Sequence, residues 1–161
     1  MKQFDEALAP LFAVVPMESA MARLTPSKPF STAATEAVEQ LLETSRYLER
    51  PELAAGLWLY VDELDRSHRI SQQLDSSTGA FWHGIMHRRE GDFGNAHYWF
   101  RRVGMHPAMA SIPEYDPHAF VDAVAKAAGT SPMDLVATQR SEWLALFKWC
   151  MAGAASGMRR A

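Results

Sequence analysis

GAFWHGIMHRREGDFGNAHYWFRRVGMHP, residues Gly79 to Pro107, holds four of the six histidines of the chain and three consecutive aromatics, Tyr98, Trp99 and Phe100. Its spacing predicts two short helices, roughly Ala80 to Glu90 and Phe93 to Val103, with Gly91-Asp92 as the break between them. No proline occurs between Glu52 and His106, so nothing in that stretch forbids continuous helix. The decisive feature is polar. At 100° per residue His83, His87 and Glu90 fall at about 0°, 40° and −20°, on one face of one helix. If that face is buried, each polar group needs a partner, or its burial costs roughly 1–3 kcal/mol.

Outward from this centre the signals are also helical. Ser31 or Thr32 can cap a helix reaching about Leu48, Pro51 can begin the next, to about Val61, and Leu64 to Leu74 reads as another. Downstream, Pro117 to Ala128 is a helix stopped by Gly129. Ser131-Pro132 opens a long C-terminal helix whose inner stripe is Val136, Trp143, Phe147 and Cys150. Four of the nine prolines (Pro10, Pro16, Pro26, Pro29) fall in residues 1–30. Apart from a short helix near Phe4 to Val14, this arm should be largely extended and lie across the helices as a strap. No run asks for a strand. The expectation is one all-α domain over 1–161: an arm at 1–30, a core of antiparallel helical hairpins at 31–107, and a C-terminal helical pair at 108–161.

The central segment resembles a tetratricopeptide repeat, whose pattern is W-x₂-L-G-x₂-Y, then A-x₃-F, then P. Gly84, the pair Ala96 and Phe100, and Pro107 occupy matching positions, and Leu64 to Leu74 forms a fainter copy of Phe93 to Val103. That copy sits at an offset shorter than the usual repeat of about 34 residues, so the stack should be irregular. Where the repeat pattern carries Leu and Tyr, this chain has His83 and His87. The strings LDRSHRISQ, FWHGIMHRREGDF, NAHYWFRRVGMHP and EWLALFKWC are also similar to those of a family of small bacterial and fungal proteins. That resemblance implies no particular activity.

Composition narrows the function classes. Apolar residues make up 48% and charged residues 22%, ordinary for a globular protein. A net charge of −3 argues against nucleic acid as a partner. No apolar run is long enough to span a membrane, and Asp5 and Glu6 stand where a signal peptide is basic. The single cysteine, Cys150, excludes an intramolecular disulfide and reads as a small core residue. A cytoplasmic protein is expected.

Three functional readings follow. The first is a non-enzymatic binding module that holds an acidic peptide or small anionic ligand on Arg88, Arg89, Arg101 and Arg102, with Tyr98 beside them, because a guanidinium fork suits carboxylate and phosphate. The second is a metal-dependent enzyme. His83 and His87, one turn apart, would hold a divalent transition metal (zinc or iron), with Glu90, His68 or Asp65 completing the set. Gly84 stands where the zinc-protease helix has its general base, so that motif is absent. The third is a self-assembling homo-oligomeric subunit. Against all three stands a purely structural network in which Asp62, Asp65, Ser67, His68 and Ser71 satisfy the histidines.

Overall fold

In the computed structural model, residues 2–159 are described, with side chains described through residue 153. Every regular element among them is a helix: α1 (Lys2–Val14), α2 (Thr32–Leu42), α3 (Pro51–Tyr60), α4 (Leu64–Ser71), α5 (Ser77–Glu90), α6 (Phe93–Val103), α7 (Pro117–Lys126) and α8 (Met133–Arg159), with a short 3-10 turn at Pro107–Ser111. Successive helices pack as hairpins, α3 on α4 and α5 on α6, while α4 also lies against α5 and α8 crosses α3. The all-α expectation therefore holds.

Local chemistry sets most boundaries. The Ser31 hydroxyl accepts from the Ala34 amide and starts α2, and Ser76 does the same for α5 through Gly79. That cap starts α5 at Ser77, before the expected Ala80. At the other end of α2 the helix stops at Leu42, short of the expected Leu48. The Thr44 hydroxyl donates to the Leu41 carbonyl there, and the chain turns through Glu49 at φ 60°. Gly91 closes α5 at φ 86°, its amide donating to the carbonyls of His87 and Arg88. Asp92 then caps α6 by accepting from the Asn95 amide.

The arm is turned where the sequence suggested extension, with Met21 at φ 53°. Its backbone is tied down by side chains from distant helices. Gln139 Nε2 donates to the Met21 carbonyl at 2.9 Å, Arg140 Nε to the Ala20 carbonyl at 2.8 Å, and the Tyr60 hydroxyl to the Val15 carbonyl at 2.6 Å. These bonds satisfy carbonyls that no regular element pairs.

The core cluster runs from Leu8 and Leu11 of α1 through Leu57, Trp82 and Phe100 to Trp143 and Phe147 of α8. Within α5 every residue from Gly79 to Arg89 is buried. It is the central helix of the molecule, contacted all round rather than along one stripe. Gly84 makes that possible, because a Cβ there would lie 3.1 Å from the Phe100 ring of α6. Cys150 is 4% exposed, and burial pushes its thiol up to about 12, so it is the inert core residue expected.

Candidate metal centre

Two residues on α5 and one on α4 define the site. His83 and His87 lie one turn apart on α5 and are 3% and 7% exposed, so the inward-turned pair expected from the sequence is present. The α4–α5 packing brings up His68, which is half-buried. One ring nitrogen from each of the three lies within 4.8 Å of the other two. The ring centroids are 4.7 Å apart for His83 and His87, 4.9 Å for His68 and His83, and 5.2 Å for His68 and His87. An ion held tetrahedrally at about 2.1 Å by each nitrogen needs nitrogens about 3.4 Å apart, a spacing inside the 4.8 Å within which these lie.

The surroundings act on two of these rings. His87 Nδ1–H donates to Glu90 Oε1 at 2.7 Å, fixing the tautomer and leaving Nε2 bare. Burial, then the neighbouring His87 and His68, pushes the His83 pKa down to about 3. Trp99 of α6 lies flat against His83, centroids 3.8 Å apart, and closes that side of the cluster. His83 Nδ1 is buried and finds no hydrogen-bond partner among the described residues. The proposed satisfiers are committed elsewhere. The Ser67 hydroxyl donates to the Ala55 carbonyl, Asp62 pairs with Arg89, and Asp65 is exposed. His83 Nδ1 thus takes no bond from Asp62, Asp65 or Ser67.

Not every residue expected at the site is there. Glu90 is over a third exposed and acts through His87. Asp65 belongs to no group of converging donors. A second group, His87, Glu90 and Asp92, also converges within 4.8 Å. There the Asp92 carboxylate is already occupied with the Asn95 amide and side chain at the start of α6.

The arginine cluster expected to bind an anion is divided by the fold. Arg88 and Arg89 are fully buried. Arg88 makes a two-pronged pair with Glu142 at 2.8 and 2.9 Å, bonds Gln139 at 3.2 Å and lies over the Phe120 ring at 4.4 Å. The Tyr115 hydroxyl donates to the same Glu142 carboxylate. Arg89 donates to Asp62 and to the carbonyls of Leu59 and Arg23. Both guanidinium groups are spent inside the protein, where an unpaired charge is prohibitive, and neither can line a groove. Arg101, Arg102 and Tyr98 do reach the surface. The Arg102 guanidinium lies 5.4 Å from the Trp99 ring centre and 5.8 Å from that of Tyr98.

The sequence offers Trp99, with Trp82, as an aromatic neighbour that excludes water from the histidines, and Trp99 does stack on His83; nothing in it pointed to Glu142 neutralising Arg88 or to Gln139 bonding it. No family model matches the sequence, and no curated protein or solved structure matches it.

Proposed function

We propose that the chain is a metal-binding protein in which His68, His83 and His87 hold one divalent transition metal. The observation that carries the reading is the convergence of three imidazoles, a ring nitrogen of each within 4.8 Å of the others, on a helix face where His83 Nδ1 is buried without a partner. Three neutral nitrogen donors and no carboxylate suit zinc better than iron, which favours a mixed histidine and carboxylate set. Three protein ligands leave a coordination position for a ligand, as in zinc sites that act on substrates. When bound there, the ion supplies Lewis-acid chemistry, and hydrolysis is the reaction class this supports. The chain's own part is to orient the rings through Glu90 and Trp99, and to hold His83 neutral.

The same proposal takes the α5–α6 hairpin as a tetratricopeptide-like unit, supported by Phe100 packed on Gly84 and by buried Ala96. It also places the protein in the cytoplasm, where a single buried thiol stays reduced. No helix among the described residues is long and apolar enough to cross a membrane.

Elemental analysis of untagged protein, dialysed against zinc and then against buffer, tests the reading. The expected result is about one equivalent, lost in His68→Ala and in His83→Ala. Less than about a tenth of an equivalent in the folded wild-type protein ends it.

A further inference from the structure

We infer that the ligand of this site carries an oxyanion, a carboxylate or a phosphate, received by Arg102 on a shelf formed by Tyr98 and Trp99. The inference rests on the metal reading of the histidine cluster and adds the ligand class.

The first support is charge. Three neutral imidazoles cancel none of the charge of a divalent ion, and the carboxylate of Glu90 is engaged with His87 Nδ1. Ion and guanidinium together therefore favour a ligand that carries negative charge.

The second support is the placement of Arg102. Trp99 is common to both features: one set of contacts places it on His83 at 3.8 Å, another places Arg102 over it at 5.4 Å. Arg102 is thus joined to the histidine cluster through a single indole. Tyr98, 44% exposed, stands edge-on to Trp99 at 5.3 Å and widens the shelf.

The third support is what Arg102 lacks. Among the described residues it has no carboxylate within 4.0 Å, and its one side-chain hydrogen bond is a long 3.5 Å contact to the Tyr98 hydroxyl. Arg66 shows the contrast. It too lies over an aromatic ring, that of Trp58 at 4.7 Å, but it is paired with both Glu39 and Glu63 at 2.9 Å. A guanidinium held against aromatic faces with its in-plane donors uncommitted is already ordered for two-pronged contact with an oxyanion.

The test uses the full chain loaded with cobalt(II), whose visible absorption reports the ligands around the ion. Inorganic phosphate and benzoate are titrated separately. We expect at least one of them to change the cobalt spectrum, and its apparent Kd to rise about tenfold in Arg102→Ala. Cobalt affinity and thermal stability should stay as in wild type, because Arg102 is exposed. Arg101→Ala, whose guanidinium lies over neither ring, should bind the anion normally. A response to phosphate alone identifies a phosphoryl ligand, and a response to benzoate alone a carboxylate. Cobalt binding with no spectral response to either anion, or with equal affinities in Arg102→Ala and wild type, overturns the inference and leaves the metal reading intact. Failure of cobalt to bind at all removes both.

Discussion

Trp99 and His83 lie face to face, ring centroids 3.8 Å apart and planes within 16°, although they come from different helices of the α5–α6 hairpin. The indole fixes the imidazole plane and keeps water from one side of it. In Trp99→Leu the ring regains freedom, so the affinity for zinc should fall roughly tenfold, in line with loss of an outer-shell contact. Competition with a chromophoric chelator measures this. Unchanged affinity would mean that the stack is only packing.

Glu90 orients His87 from outside the cluster. Glu90→Gln keeps a hydrogen-bond acceptor but removes the charge that makes the imidazole a better donor, so zinc affinity should fall by about 10- to 100-fold. Because Glu90 is over a third exposed, the melting temperature of the metal-free protein should hardly move. A large drop there would instead assign Glu90 to the fold.

Arg88 and Glu142 form an ion pair with both side chains at zero exposure. Removing one member strands the other charge, so Glu142→Ala should cost about 3–5 kcal/mol in urea unfolding. The double variant Arg88→Met with Glu142→Leu should recover most of that loss, since no buried charge then remains. Equal losses in the single and double variants would show that Tyr115 and Gln139 depend on the pair more than the pair costs to bury.

Acid should destabilise the protein through His106. The Ala108 amide donates to His106 Nδ1 at 3.1 Å, so that nitrogen is bare and Nε2–H faces the Thr78 hydroxyl at 3.0 Å. Burial holds the pKa below its ordinary value of 6.5. As pH falls through about 6.5 the unfolded chain gains a proton that the folded one excludes, so stability drops by up to about 1.4 kcal/mol per pH unit for this group. The loss stops once pH passes the lower folded pKa. His106→Asn keeps an acceptor for the Ala108 amide and cannot titrate. Thermal melts between pH 7.5 and 5 should therefore be flatter for the variant than for wild type.

Much of the secondary structure was legible because its causes are local. Gly91 supplies a left-handed stop, Ser31 supplies a cap, and the stripe Val136, Trp143, Phe147 and Cys150 faces inward as its spacing requires. The histidine cluster was half legible for the same reason. His83 and His87 share a helix, so their common face follows from 3.6 residues per turn. His68 reaches them only because α4 packs on α5, while Asp65, one turn earlier on α4, faces solvent.

Arg88 and Arg89 mark where sequence reading stopped. On an amphipathic helix two adjacent arginines belong to the solvated side, but α5 is enclosed on all sides and has no such side. Their neutralising carboxylates, on Glu142 and Asp62, lie 54 and 27 residues away. By itself, then, the sequence determined an all-helical chain with two imidazoles on one face of its central helix, since backbone periodicity and end-capping act over a few residues. Only the tertiary structure decided which third imidazole joins them and which arginines remain available to a ligand, because burial and charge pairing are set by segments that meet only when the chain is folded.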